Sequence, residues 1–376
     1  MLINPQLLDP KQIGYEAHQL ETSLRSKVIG QDEAIRQVVD IYQAFSLGMS
    51  SVARPVGTFL FLGPTGTGKT RLVEATADTL AGDVRAVVKI DCGEFQHSHE
   101  IAKLVGSPPG YLGHRDTQPS LSQEVLDRFH TESAKLSFVL FDEIEKASDA
   151  LWNLLLGILD KARLTLGDNR RVDFSRAMIF MTGNVGAVEI SEELRQRFGF
   201  SYSAPPQRRT QSVATAAARR RFSPEFLNRI DKIVVFQALA DAQLHGILDI
   251  ELSEVTRRFA HRLRFAMSVT EPAKAFLVQE GTDIQYGARH LKRVVERSIL
   301  HPLCNLIATE QVRPRDQIRI DLDREHRHLA FFRDAENLEM EDEVSITHRE
   351  TDHIAAATPV SVPVNPDPAI ALWFCC

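Results

Sequence analysis

The chain has 376 residues, 43% of them hydrophobic and 25% charged, room for two or three domains and a sizeable core. No run of eighteen apolar residues occurs, and the first residues (MLINPQLLDPKQ) lack a basic segment leading into an apolar one, so neither a membrane helix nor a secretory signal is expected. The net charge of −6 resides in residues 326–376, with nine acids and three Lys/Arg; the near-neutral remainder speaks against non-specific nucleic-acid binding.

Residues 1–27 read as a polar lead-in with a short amphipathic helix near Tyr15 to Leu24. After Val28-Ile29-Gly30-Gln31, a helix is expected from Asp32 to about Phe45, with acids in its first turn. Phe59 to Leu62 is an apolar run that predicts a strand buried on both faces. Directly behind it stands Gly63-Pro64-Thr65-Gly66-Thr67-Gly68-Lys69-Thr70, which satisfies G-x-x-x-x-G-K-[ST]. Glycines let such a loop turn its N–H groups inward around a phosphate, and the helix expected from Arg71 to Leu80 adds its positive end. Lys69 is placed to reach the β- and γ-phosphates and the Thr70 hydroxyl to coordinate Mg²⁺. Strand, loop and helix together predict a bound nucleoside triphosphate.

Val84 to Ile90 predicts a second strand, followed by Cys92, read as a buried small residue. Residues 105–113 (VGSPPGYLG) are too rich in Gly and Pro to be regular, and they set Tyr111 in a loop between glycines. Periodicity does not decide whether Tyr111 packs back on the protein or acts outward. A helix is expected from Ser122 to Ser133. Phe138 to Phe141 then predicts a strand that ends in Asp142-Glu143. Paired acids at such a strand end fit a Mg²⁺ shell (Asp142) and the polarisation of an attacking water (Glu143).

Ala150 to Ala162 reads as a helix, residues 163–173 as a polar loop, and Ala177 to Met181 as a further strand ending in Thr182-Gly183-Asn184. Asn184 falls beside the other strand ends, within reach of a γ-phosphate or the water. Residues 201–221 are small, polar and basic and read as a solvated linker, with partner binding as the alternative. The segment FSPEFLNRID (222–231) opens like a helix start and carries Arg229; a strand follows at 232–236. Helices are expected at Asp241–Leu263, Glu271–Glu280 and Ala288–Ile307, then a strand at Gln317–Leu322. Beyond residue 325 the chain reads as a disordered acidic and Pro-containing tail; its apolar end, Ile370 to Phe374, is either inert or a docking element. Cys92, Cys304, Cys375 and Cys376 have neither metal-site nor disulfide spacing and fit a reducing cytoplasm. The fold class is therefore α/β: a parallel sheet covered by helices at 28–239, then a smaller, mainly helical α+β domain at 240–325.

The blocks VIGQDEA, FLFLGPTGTGKT, VGSPPGYLG, LFDEIEKA, RLTLGDNRRVDF, MTGN, FSPEFLNRID and YGARHLKR occur in this order. In them the chain resembles the AAA+ ATPases of the Clp unfoldase and disaggregase family, in particular the second ATPase module with its small domain, over about residues 28–322. The resemblance implies ATP and Mg²⁺ as ligands and a homo-oligomeric ring, expected to be a hexamer, that threads protein substrates through a central pore. It implies that Asn184 is sensor 1, that Arg229 is the arginine finger acting on the neighbouring subunit's ATP, and that Arg289 is sensor 2. It places Tyr111 on the pore loop and Val28 and Ile29 at the adenine pocket. With about 27 residues ahead of the module, substrate choice is expected to lie with an adaptor, the tail, the basic insertion or the pore. Phe198-Gly199-Phe200 departs from the aliphatic-Gly-Phe/Leu loop of peptidase-feeding relatives and makes a peptidase partner doubtful; His290 stands where relatives commonly carry proline, with little consequence expected. Remodelling of a dedicated complex or of nucleic acid, and a slow nucleotide-switched scaffold, are the competing functions.

Overall fold

In the computed structural model the described residues are 9, 12–51, 53–107, 119–132, 135–186, 206–260, 265–282, 287–323, 325 and 327–334. Two helices open the chain, α1 (Tyr15–Lys27) and α2 (Asp32–Ser46). Strand β1 (Gly57–Leu62) leads to α3 (Lys69–Ala81), then β2 (Val87–Asp91), the short α4 (Ala102–Val105) and α5 (Gln123–Asp127), and β3 (Ser137–Asp142). Next come α6 (Asp149–Lys161), the strands β4 (Arg163–Thr165), β5 (Arg171–Asp173) and β6 (Ala177–Gly183), the helices α7 (Pro206–Arg221) and α8 (Pro224–Leu227), and β7 (Lys232–Val235).

The main sheet has five parallel strands in the order β2-β3-β6-β1-β7. Each of the central runs is apolar on both faces because helices cover both sides. Residues alternate between two cores: Leu60, Leu62, Val139, Phe141, Ile179 and Met181 face one, while Phe59, Phe61, Phe138, Leu140, Met178 and Phe180 face the other. On the second side Phe59 stacks on Phe180 at 4.9 Å, and α1 contributes Ala17, Leu20 and Leu24. The expected lead-in helix is thus part of the core.

A third core belongs to a smaller lobe built from α9 (Asp241–Ala260), β8 (Ala266–Val269), α10 (Glu271–Gly281), α11 (Ala288–Val295), α12 (His301–Ala308), β9 (Gln317–Asp323) and β10 (His328–Asp334). Between α11 and α12 the helix runs on through a wide π turn, Glu296–Leu300. Pro302, which has no N–H to return to the preceding turn, sits just beyond it. The lobe's sheet has the order β10-β9-β8.

Four expectations are corrected. Residues 163–173 are an antiparallel hairpin, with Leu164 and Val172 buried and paired. Residues 206–221 form a helix, α7, whose Ala214, Ala217 and Ala218 are buried. The helix expected over 122–133 is only Gln123–Asp127. Residues 328–334, assigned to the tail, form β10, which pairs with β9 and buries Leu329. The remainder of the tail lies outside the described residues.

Candidate nucleotide site

Parallel strands bring their carboxyl ends to one edge, and there Leu62 lies beside Gly183 and Asp91 beside Asp142. The chain leaves β1 through Gly63, whose φ is +139° and where a Cβ would stand 2.6 Å from the Phe236 carbonyl oxygen. Only glycine fits. Inside the loop, Thr67 Oγ1 donates to the Pro64 carbonyl at 2.9 Å. The N-cap of α3 is Gly68, which offers no side-chain oxygen, so the first-turn N–H groups stay available to an anion.

A cleft of about 430 Å³ lies against this loop. Val28, Ile29, Thr65, Gly66, Thr67, Gly68, Lys69, Thr70, Asp142, Glu143, Asn184 and Arg289, all expected at the site, line it together. Gly63 and Pro64 lie just behind, as acceptors of the Lys69 ammonium at 2.7 and 2.8 Å. A third bond runs from Lys69 to Asn184 Oδ1 at 3.0 Å. Burial pushes Lys69 down to about 8, although Asp142 and Glu145 pull the other way.

Thr182 Oγ1 donates to Asp142 and accepts from the Glu143 N–H at 3.2 Å, which locks the acid pair to β6. Glu143 takes a left-handed φ of +55°, and its carboxylate pairs with Lys146 at 2.5 Å. Neighbouring Glu145 accepts the Asn184 N–H at 2.9 Å and so orients that residue. Cys92 is fully buried, and burial raises its thiol well above the usual range, as expected of a packing residue.

The small lobe closes the cleft. Gly287, at φ +52°, brings the start of α11 onto the phosphate loop, where the Ala288 N–H donates to the Gly66 carbonyl at 3.2 Å. This puts Arg289, and Lys292 one turn later, on the cleft wall. Leu239, Ile247 and Ile250 add an apolar edge beside Val28 and Ile29, suited to the face of a base. Gln31, 4% exposed, ties the phosphate loop to the segment that leaves β7: its amide donates to the Thr67 and Gln237 carbonyls at 3.1 and 3.0 Å. Sequence reading did not find Leu239, Ile247, Ile250, Lys292, Glu145 or Gln31; the spacing of 289 and 292 on one helix face was the available sign.

Arg229 does not line this cleft. Its Nε donates to Asp160 at 2.6 Å and its Nη1 to the Glu225 carbonyl at 2.8 Å. Tyr111 and Phe198-Gly199-Phe200 lie outside the described residues.

Loop, acid pair and helical lid define a P-loop nucleotide-binding fold. Residues 54–233 match the AAA domain (Cdc48 subfamily), and residues 239–320 match the C-terminal, D2-small domain of ClpB protein. The chaperone protein ClpB of Bdellovibrio bacteriovorus is 40% identical over 301 residues, covering 80% of this chain and 33% of that protein. ClpC of Staphylococcus saprophyticus, an ATP-dependent Clp protease ATP-binding subunit, is 36% identical over 304 residues, 81% of this chain and 36% of its own length. Among solved structures, Hsp104 of S. cerevisiae in its extended complex with casein matches with a TM-score of 0.71 and 30% identity, over 84% of this chain and 52% of that one. The chain belongs to the Clp branch of the AAA+ ATPases and corresponds to the second ATPase module with its small domain. It spans about a third of the length of the curated relatives it matches.

Proposed function

We propose that this chain is an ATP-driven protein unfoldase or remodelling chaperone that hydrolyses ATP in a ring and threads polypeptide through a central pore. One observation carries the reading: the cleft gathers from two lobes the side chains expected to bind and hydrolyse ATP in cis, while Arg229 is held apart from it. Lys69 and the first turn of α3 bind the phosphates, and Val28, Ile29 and the apolar edge hold the base. Glu143 polarises the water that attacks the γ-phosphorus, Asn184 orients that water, and Arg289 senses the γ-phosphate. As the bond to ADP breaks, Arg229 of the neighbouring copy neutralises the developing charge, which makes turnover depend on assembly.

The Thr70 hydroxyl and the Asp142 carboxylate, the latter oriented by Thr182, are hard oxygen donors of the kind Mg²⁺ takes. Bound there with the nucleotide, the ion would neutralise phosphate charge. An interface that offers Arg229 to the next copy is head-to-tail, so a closed ring, a hexamer in this reading, is its natural product. Hsp104 was solved with casein; a protein substrate gripped by Tyr111 is the corresponding proposal here. An adaptor is compatible with this scheme, which requires neither a peptidase partner nor nucleic acid, and the cytoplasm is its setting. No helix among the described residues is long and apolar enough to cross a membrane. The test is ATP turnover with and without an unfolded protein: stimulation by the protein supports threading, and stimulation by DNA instead contradicts it.

A further inference from the structure

The turn that carries Glu143 is also held from outside the cleft. Trp152, on α6, donates its indole N–H to the Ile144 carbonyl at 3.2 Å. Over that same indole, 4.8 Å from the ring centroid, lies the guanidinium of Arg221, the last residue of α7. Arg221 donates in turn to the carbonyl of Glu145. Two successive carbonyls of the turn therefore accept from groups that are stacked on each other.

The cluster continues towards Arg229. Phe222 and Phe226 lie 5.7 and 6.3 Å from Trp152, and 5.6 Å from one another. The Arg229 N–H donates to the Phe226 carbonyl at 3.1 Å. On its inner side the turn is fixed by Thr182 and, through Glu145, by Asn184. Glu143 keeps a left-handed backbone, which persists only where its surroundings over-determine it. An arginine at a helix C-terminus is often no more than a favourable partner of the helix dipole. Here it reaches past its own helix to the turn proposed to be catalytic and braces on the ring that holds the same turn.

We propose that Arg221, braced on Trp152, is a positioning residue that locks the Glu143 turn and ties it to the segment carrying Arg229. This rests on the roles given above to Glu143 and Arg229. Hydrolytic carboxylate and interfacial arginine then move as one piece, and the basic insertion that ends in Arg221 acquires a task.

The experiment uses the full chain, with turnover and binding of a fluorescent ATP analogue measured on the same samples. Arg221 is exposed, so R221A is expected to fold. Its turnover at saturating ATP should fall roughly tenfold while KM and nucleotide affinity stay within about twofold. R221K should restore little, since an ammonium donates to a carbonyl but does not stack as a plane. W152F keeps the ring and loses the N–H; the double variant should be no slower than the slower single one, because both side chains hold one turn. Unchanged turnover in R221A, additive losses, or a fall in nucleotide affinity parallel to the fall in turnover would overturn the proposal, the last because general loss of structure produces it. Turnover absent from the unaltered chain overturns the functional reading as well, and so the two failures are told apart.

Discussion

Lys69 Nζ and Asn184 Oδ1 stand 3.0 Å apart, joining the phosphate loop to the end of the adjacent strand β6. The amide oxygen helps fix the direction of the ammonium, which in the proposed mechanism meets the γ-phosphate. Asn184 is itself held by Glu145, so the cation, the amide and the acid turn form one connected set. Preorganisation of this kind lets binding energy go into the reaction instead of into ordering side chains.

The pH dependence follows from Lys69. Its ordinary value of 10.5 is lowered to about 8 by burial. Between about 8 and 10.5 the unfolded chain therefore binds more protons than the folded one, and the stability of the nucleotide-free fold rises with pH across that window. Triphosphate oxygens favour the ammonium, so binding near pH 8–9 is expected to take up protons, and affinity to fall as pH rises further. Calorimetric titrations in two buffers of different ionisation enthalpy check this. Net proton release would contradict it.

Glu143→Gln is isosteric, and the backbone of residue 143 stays tied to Thr182. Nucleotide binding should persist while turnover drops by at least about a hundredfold, the usual worth of a positioned base. Phosphate release measured beside equilibrium binding decides it, and turnover above a tenth of the original rate would remove Glu143 from its role.

Gly287→Ala should separate the lobes. A Cβ there would stand 2.9 Å from the Thr65 carbonyl oxygen and 3.0 Å from that of Gly66, at a positive φ. We expect a loss of about 1–3 kcal/mol in stability from backbone strain and weaker nucleotide binding as Arg289 swings away. Thermal unfolding and binding titrations measure both; an unchanged affinity would show that the small lobe does not need its contact with the loop.

The five strands of the main sheet are legible because each is built around an apolar run, and the site because its glycines, lysine and acids sit where those runs end. The hairpin β4–β5 escapes notice since each three-residue strand buries one residue, Leu164 or Val172. Helix α7 is hidden by a buried face made of alanines, which barely differs in hydropathy from a linker. Strand β10 lies in a segment whose charge suggests disorder, yet Leu329 and Phe331 are enough to pack it on the small lobe. The apolar edge of the cleft is unreadable for a different reason. Ile247 and Ile250 share α9 with the core residues Leu244 and Leu248, and periodicity alone does not say which apolar residue faces a ligand.

In the proposed ring each active site is completed by Arg229 of the neighbouring copy. Glu143→Gln chains and Arg229→Ala chains should each be inactive alone. Mixed in equal amounts and allowed to assemble, they should recover about a quarter of the original rate per chain, because one junction in four pairs an intact Glu143 with an intact Arg229 across a head-to-tail interface. A mixture as silent as its components, while shown to form mixed rings, would contradict the claim.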